Sequence, residues 1–270
     1  MSDRDTYPAG VPCWVEALVP DPGAAREFYS AIFGWEFTGP GKMPGEQSSE
    51  YFVARLRGRD VAGVGLLPQG APVPAWTTHV RVAKADAAAA AAAAAAGSIV
   101  VAPFDVPPVG RMAVLDDPAG GRFVAWEADG REGAQLVNEP SAWSMSSLMT
   151  PEPEAAAEFY GKVFGWETTE FAPGMSMLRL PGFVGGEPSQ PVPRDVVAML
   201  MTTEGADGSF WQPDFWIADV DAAAAAADRG GEVVDPPAEY SGAPFRSALL
   251  ADPAGARFSV SQLVVGGAAT

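Results

Sequence analysis

The 270-residue sequence is poor in cysteine and histidine, with one of each, Cys13 and His79, and it contains three lysines. A single cysteine excludes an internal disulfide and is typical of a reducing compartment, so we expect a cytoplasmic protein. A single histidine excludes a His-Glu-x-x-His site. Phosphate loops, Gly-x-Ser-x-Gly turns and dinucleotide fingerprints are also missing. We therefore expect no cofactor.

Positive charge is scarce as well, with 17 Lys and Arg against 34 Asp and Glu and a net charge of −17. Nucleic acids and anionic membranes need clustered cations, so we expect neither as a partner. Outside the alanine tract, no apolar run approaches the roughly 18 residues that span a bilayer. The N-terminus shows no basic stretch followed by an apolar run, so we expect no secretory signal. A small-molecule partner is the remaining class, and both a monomer and a homodimer stay open.

Two segments of the chain occur twice. FYSAIFGWE at 28–36 returns as FYGKVFGWE at 159–167, and DPAGGRF at 117–123 returns as DPAGARF at 252–258. Two segments that recur in the same order at nearly one spacing indicate a duplicated domain. We predict a first domain over 1–130, a linker over 131–141 and a second domain over 142–270.

Each half contains two β-α-β-β-β patterns. Asp21 and Pro22 read as an N-cap and a first helical residue, and Gly34 ends that helix. The alanine tract after Asp86 predicts a second helix, because alanine is the best helix former. We read Asp86 and Asp221 as helix caps. The predicted units span 12–68, 75–128, 142–202 and 210–264.

The four β-α-β-β-β units, with Phe-Gly-Trp after the first helix of each half and Asp-Pro-Ala-Gly before its last strand, resemble the vicinal oxygen chelate superfamily. This superfamily contains glyoxalase I, bleomycin-resistance proteins and extradiol dioxygenases. The sequence looks most like tandem glyoxalase-like proteins of actinobacteria, some of which are labelled hydroxylases. The resemblance implies an α+β fold with two glyoxalase-like domains. Each would be a curved mixed sheet that encloses a cup, with its helices outside.

The resemblance also implies a metal site, which can be checked residue by residue. Metal-dependent members place His or Gln on the first strand of each unit and Glu on its last strand. The matching positions in this sequence are Trp14, Thr77 and Val124 in the first half and Met145, Gln212 and Ser259 in the second. Only Gln212 could bind a metal ion, and it lacks partners. We therefore expect no metal site.

Alternation along the strands predicts which side chains face each cup. The first cup is expected to contain Trp14, Glu16, Thr77, His79, Arg111 and Trp126. The second is expected to contain Met145, Ser147, Gln212, Asp214, Trp216 and Arg246. Arg111 and Arg246 stand at equivalent positions and could clamp an anionic group or serve the structure alone.

Several of these residues also have a purely structural interpretation. His79 fits a structural histidine, Glu16 fits a salt-bridge partner of Arg111, and the tryptophans fit packing residues. We read Asp117 and Asp252 as turn residues that bind their own backbone.

Two functions remain open. The first is metal-independent binding or sequestration of a hydrophobic or aromatic metabolite or antibiotic, as the bleomycin-resistance branch suggests. The alternative is a glyoxalase-like enzyme, catalysing a lyase, isomerase or hydroxylase-type step in secondary metabolism through acid–base chemistry of Glu16 and His79. The first cup is the stronger candidate because it contains the single histidine and two tryptophans.

Overall fold

The structure is a computed structural model that describes residues 4–42, 50–69, 73–185, 192–239 and 244–264. It has an α+β fold in which each half folds as two β-α-β-β-β units. The elements of the first half are β1 Pro12–Val19, α1 Pro22–Phe33, β2 Glu36–Lys42, β3 Glu50–Leu56, β4 Arg59–Leu66, β5 Ala75–Arg81, α2 Ala85–Ala94, β6 Ser98–Val106, β7 Gly110–Asp116 and β8 Arg122–Ala128. Those of the second half are β9 Trp143–Thr150, α3 Pro153–Phe164, β10 Glu167–Ala172, β11 Met175–Arg179, β12 Val196–Thr202, β13 Phe210–Trp216, α4 Val220–Ala227, β14 Glu232–Glu239, β15 Phe245–Ala251 and β16 Arg257–Leu263.

Each half forms one eight-stranded mixed sheet. The strand orders are β2-β3-β4-β1-β5-β8-β7-β6 and β10-β11-β12-β9-β13-β16-β15-β14. The first strands of the two units of a half, β1 and β5, pair antiparallel at the centre of the sheet. Each central strand also pairs parallel with the last strand of its own unit, β4 or β8. The two units of a half therefore share one sheet, as the resemblance implied.

Helix α1 begins and ends where the sequence predicted. Oδ1 of Asp21 accepts a hydrogen bond from the Ala24 N–H at 3.0 Å, and Pro22 occupies the first helical turn. The helix ends at Gly34, whose φ of 69° lies in the left-handed region that glycine tolerates.

Two predicted helix caps are wrong. Helix α2 begins at Ala85, so Asp86 lies within its first turn and does not cap it. In α4 the cap is Asp219, whose Oδ1 accepts from the Ala222 N–H at 2.9 Å, and Asp221 likewise lies within the first turn. A carboxylate in the first turn interacts favourably with the positive end of the helix dipole. Aspartate is therefore common both at the cap and in the first turn, and the sequence does not distinguish the two positions.

Two strands of the second half are hard to recognise in the sequence. Strand β13 runs over Phe210–Trp216. Pro213 lies inside β13, and proline normally argues against a strand interior because it cannot donate to the ladder. Strand β10 was not predicted, because it is an almost wholly exposed edge strand without alternation of apolar residues.

The two halves pack against each other through helices and central strands, with α1 beside α4, α2 beside α3 and β5 beside β13. The Tyr29 hydroxyl of the first half donates to Oδ2 of Asp252 in the second half at 2.9 Å. The Tyr160 hydroxyl donates in return to Oδ2 of Asp117 at 3.2 Å. Both tyrosines are fully buried. The repeated Phe-Tyr and Asp-Pro segments therefore bind each other across the halves.

The two aspartates also build their own turns, as predicted. Oδ1 of Asp117 accepts from the backbone N–H groups of Ala119 and Gly121 at 2.9 and 2.8 Å. Asp252 makes the equivalent pair of hydrogen bonds in the second half. Each carboxylate thus fixes a turn with one oxygen and the opposite half with the other.

The Phe-Gly-Trp tryptophans join the halves in the same reciprocal way. Nε1 of Trp35 donates to the Ser141 carbonyl, just before the second sheet begins, at 2.7 Å. Nε1 of Trp166 donates to the Gly10 carbonyl, just before the first sheet begins, at 2.7 Å. No helix in the described part of the chain is long and apolar enough to cross a membrane.

We expect Tyr29→Phe to lower the free energy of unfolding by about 1–3 kcal/mol, because it leaves Oδ2 of the buried Asp252 without its hydroxyl donor. Tyr160→Phe should act similarly on Asp117. Urea unfolding followed by circular dichroism measures both. In a double-mutant cycle with Asp252→Asn, the coupling to Tyr29→Phe should be favourable. A coupling of zero would contradict a hydrogen bond that joins the halves.

Candidate functional site

A cavity of about 430 Å³ lies on the face of the first sheet opposite the helices. Its walls are largely apolar, and five polar side chains line it. The polar side chains are Glu16, Thr38, Tyr51, His79 and Arg131, and the largest apolar members are Trp14, Trp126, Met112, Val106, Val109 and the pair Pro107 and Pro108. A mostly apolar cavity of this size with a few convergent polar groups is typical of a small-molecule site.

The central strands place the key side chains. Trp14 and Glu16 lie two residues apart on β1 and therefore point to the same face. His79 on β5 is the cross-strand partner of Trp14, so it faces the cavity as well. Trp126 on β8 completes this wall, with its ring 6.2 Å from the His79 ring. The structure thus brings together four of the predicted first-cup residues.

Glu16 is at the centre of a buried polar group. Nε2 of His79 lies 3.1 Å from Oε1 of Glu16, but its N–H does not point along this line, so the contact is an ion pair when the imidazole is protonated. The Tyr51 hydroxyl donates to Oε2 of Glu16 at 2.7 Å and accepts from Nε1 of Trp14 at 2.9 Å. Glu16 and His79 are only 6% and 5% exposed.

These contacts keep Glu16 ionised despite its burial. Burial alone raises the pKa of a carboxyl group. His79 opposes this effect most strongly, followed by the Tyr51 hydroxyl and Arg131, and together they lower the pKa of Glu16 below its ordinary value. The same carboxylate and its own burial raise the pKa of Tyr51 well above the ordinary value, so the phenol stays a donor.

Gly63 makes room for the Tyr51 hydroxyl. It lies on β4 directly beside Glu16, and a Cβ at this position would overlap the hydroxyl of Tyr51. Gly63 therefore has a packing role in the site, because only a residue without a side chain leaves space for this hydroxyl.

The segment predicted as the linker contributes to the site. The Arg131 guanidinium lies 5.4 Å from the centre of the Trp14 ring and pairs with Asp60 at 3.3 Å. The Arg131 carbonyl accepts from Nε1 of Trp126 at 2.8 Å. The Ala134 N–H then donates to the Cys13 carbonyl at 2.7 Å, which ties the segment to β1.

The two arginines predicted inside the cups lie elsewhere. Arg111 pairs with Asp86 and Asp105 on the outer surface, at 2.8 and 2.7 Å. Arg246 pairs with Asp221 at 2.7 Å in the equivalent place. Neither pairs with Glu16. Their recurrence reflects a repeated ion pair to the first turn of the neighbouring helix.

The other predicted residues are placed as follows. Thr77 is buried on β5 beside Glu16 in register, but it does not line the cavity. Nε2 of Gln212 donates to Oγ of Ser259 at 2.6 Å. Trp216 is buried and packs edge-on against Phe245. Met145 faces a separate space of only about 60 Å³.

Asp214 occupies the position in the second half that His79 has in the first, since each pairs with the residue aligned with Trp14. Its carboxyl accepts hydrogen bonds from Oγ of Ser144 and Ser261 at 2.6 and 2.7 Å. Burial outweighs these bonds and raises its pKa to about 6.

The residues present do not fit the metal site of the superfamily. Among the described residues, no three His, Cys, Asp or Glu side chains are close enough together to hold one ion. In the first cup only Glu16 and His79 could serve as such ligands, and they pair with each other. The equivalent second-half residues are Ser147 and Asp214.

Sequence reasoning missed Tyr51 and Arg131. Tyr51 lies on β3, and its contact with Glu16 crosses the intervening strand β4 and depends on Gly63. Arg131 was assigned to the linker. A glycine beside a polar residue in a central strand pattern is the signal that indicates such a close approach.

Comparisons with known proteins identify the family of the chain. A family model described as a glyoxalase-like domain matches the chain twice, over residues 14–125 and 145–261. A Mycobacterium tuberculosis protein named "Putative glyoxylase CFP32" is 34% identical over 96% of this chain and 97% of its own length. The anthracycline biosynthesis protein DnrV of Streptomyces peucetius is 30% identical over 95% of this chain and 94% of its own.

Solved structures show the same fold. The Mn(II)-bound glyoxalase from Novosphingobium aromaticivorans matches with a TM-score of 0.65 and 16% identity, over 94% of this chain and 82% of that one. The 2,3-dioxygenase LapB from Pseudomonas sp. KL28 matches with a TM-score of 0.64 and 14% identity, over 96% and 93%. At these identities the likeness concerns the fold alone.

We expect Tyr51→Phe to raise the pKa of Glu16, because it removes a hydrogen bond that favours the ionised carboxyl. Gly63→Ala should act in the same direction by displacing the hydroxyl. Carbon-13 NMR titration of the glutamate carboxyl groups measures the pKa. Gly41→Ala is the control, since an added methyl there makes only an ordinary 3.6 Å contact. An unchanged Glu16 titration in Tyr51→Phe would contradict the assigned contact.

We expect Asp214 to make the protein less stable as pH rises from about 4 to about 6. In this interval the unfolded chain has lost the proton, with an ordinary pKa of roughly 3.9, whereas the folded chain still holds it. The loss should be on the order of 2–3 kcal/mol, and it should be complete above about pH 6. Asp214→Asn should flatten this part of the stability–pH curve measured by urea unfolding, whereas the exposed-site control Asp235→Asn should not. A curve that keeps its wild-type slope in Asp214→Asn would disprove the assignment.

Proposed function

The chain belongs to the glyoxalase-like domain family, and from that premise we propose that its first cup binds a flat, mostly apolar small molecule without a metal ion. The observation that carries this proposal is the cavity of about 430 Å³, in which tryptophan walls enclose the buried Glu16–His79 pair. Such a cavity can bury most of a drug-sized ligand and still fix its orientation by polar contacts.

The walls favour an aromatic ligand. Trp14 and Trp126 present indole rings to the cavity, and aromatic rings gain about 0.5–1.5 kcal/mol from a well-placed aromatic partner beyond the area they bury. Met112 and the prolines of the β6–β7 connection add apolar surface without charge. The similarity to a protein named for anthracycline biosynthesis supports this ligand class.

The donor set supports binding without a metal. The two carboxylate oxygens of Glu16 already face Nε2 of His79 at 3.1 Å and the Tyr51 hydroxyl at 2.7 Å, so they have little capacity left to bind a metal ion. The strand positions that carry ligands in metal-dependent relatives hold Trp14, Thr77 and Val124, whose side chains are poor ligands for divalent ions.

One observation favours catalysis as a second candidate function. The contact of 3.1 Å between Nε2 of His79 and Oε1 of Glu16 lets the carboxylate stabilise a protonated imidazole. A histidine whose protonated form is stabilised by a neighbouring carboxylate can act as a general base. In this case His79 would take a proton from a bound ligand, and Glu16 would stabilise the positive charge that forms on the ring.

We expect the fluorescent anthracycline doxorubicin to bind saturably with one site in the first cup. Glu16→Gln should weaken binding by about tenfold or more. It removes the buried negative charge that holds His79 and the Tyr51 hydroxyl in place in the cavity wall. Trp126→Leu should weaken it through the lost ring contact. Fluorescence anisotropy measures the dissociation constants, and the control is Arg111→Gln, which changes an ion pair outside the cavity.

Equal affinity of wild type, Glu16→Gln and Trp126→Leu would contradict ligand binding in this cup. His79→Ala separates the two candidate functions: lost turnover with retained affinity supports catalysis, and absence of turnover in the wild type leaves binding. Native mass spectrometry of protein purified without chelators tests the metal. A stoichiometric divalent ion would contradict the metal-free proposal.

A further inference from the structure

The second cup has a lining that the first cup lacks. Six of the nine methionines of the chain stand on strands β9, β11 and β12 of the second sheet. They are Met145, Met149, Met175, Met177, Met199 and Met201. Within each strand they are two or four residues apart, so all of them point to one face of the sheet.

Strand register makes these methionines neighbours. Met175 pairs directly with Met201, which pairs with Met149, which pairs with Phe210. This row therefore crosses four adjacent strands. Directly paired side chains have Cβ atoms about 4.5–5.5 Å apart, so the row forms a continuous apolar surface.

A second row runs beside the first and ends in polar residues. Met177 pairs with Met199, which pairs with Ser147, which pairs with Gln212. The Gln212 amide donates to Oγ of Ser259, which extends the polar end. Thr169 on β10 pairs with Met177 at the other end of this row, so hydrogen-bonding side chains stand at both of its ends.

This surface is accessible to solvent. Of the first row, Met175, Met201 and Met149 are only partly buried, and Phe210 is 40% exposed. The face is the one that bears the cavity in the first sheet, since Met145 and Ser147 align with Trp14 and Glu16. A contiguous exposed apolar patch with a polar border marks a binding surface more often than it marks incomplete packing.

The duplicated half shows that these methionines are not required by the fold. In the first sheet, Gly63 and Gly65 lie beside Glu16 and Leu18, whereas in the second Met199 and Met201 lie beside Ser147 and Met149. The same backbone therefore carries either no side chain or a long thioether. Methionine side chains are flexible and polarisable, and they make favourable contacts with aromatic rings of about 0.3–1.5 kcal/mol each.

We infer that the second cup is a separate binding site for a flat, uncharged aromatic molecule, which lies on the methionine rows with its polar group toward Gln212 and Ser147. The net charge of −17 disfavours an anion. This site does not involve the Glu16–His79 pair, so the inference is independent of the function proposed for the first cup.

The test is a titration of methyl-carbon-13 methionine protein with 2-naphthol, a neutral planar probe, followed by NMR. Met149, Met199 and Met201 should shift together along one saturating curve. Met112 lines the first cup and reports that site separately in the same spectra. Assignments come from single Met→Leu variants.

Variants locate the site. Met201→Glu should weaken the second-cup curve by tenfold or more and leave the Met112 curve unchanged, because it places a charge on the apolar row. Phe210→Glu, at an already exposed position, should do the same and covers the case in which Met201→Glu does not fold. Met201→Leu keeps the apolar bulk and should change the affinity less than threefold.

Second-cup methyl shifts that stay absent or fail to saturate would overturn the inference. A second-cup curve unchanged in both glutamate variants would overturn it as well. A saturating second-cup curve with a silent Met112 would support this site and count against ligand binding in the first cup.

Discussion

The architecture depends on two reciprocal hydrogen bonds between buried tyrosines and turn aspartates. Tyr29 binds Asp252 and Tyr160 binds Asp117, so the first helix of each half holds the last turn of the other half. This explains why the two most similar segments of the repeat are the Phe-Tyr helix and the Asp-Pro turn. Each is one side of the same contact, and a change in either would leave a buried polar atom without its partner.

Because this contact holds the helical faces together, the opposite faces of the sheets remain free to differ. The first carries glycines that admit a tyrosine hydroxyl, together with a Glu–His pair. The second carries methionines at the positions of those glycines, and an aspartate held by two serines at the position of His79. The halves are therefore alike where they meet and different on the opposite faces of their sheets.

The repeat and the helix signals predicted the fold class and the two-sheet plan. Alternation placed Trp14, Glu16, His79 and Trp126 on one face, because it depends only on the strand period. It misplaced Arg111, since a long side chain near the edge of a sheet can turn to a surface carboxylate such as Asp86. Tyr51 was missed because its partner lies two strands away, and such a distance depends on strand order and on Gly63, neither of which alternation reveals.

The carbonyl groups of Ser141 and Gly10 accept hydrogen bonds from the indole N–H groups of the two Phe-Gly-Trp segments, so each half also binds the other half at the start of its sheet. A homodimer built on the same reciprocal contacts would have two identical cups by symmetry, and its assembly would weaken on dilution. When the two halves are joined in one polypeptide, they associate at a fixed effective concentration that dilution does not change. Mutations can then alter one cup without altering the other, so a single gene can evolve two chemically distinct chambers.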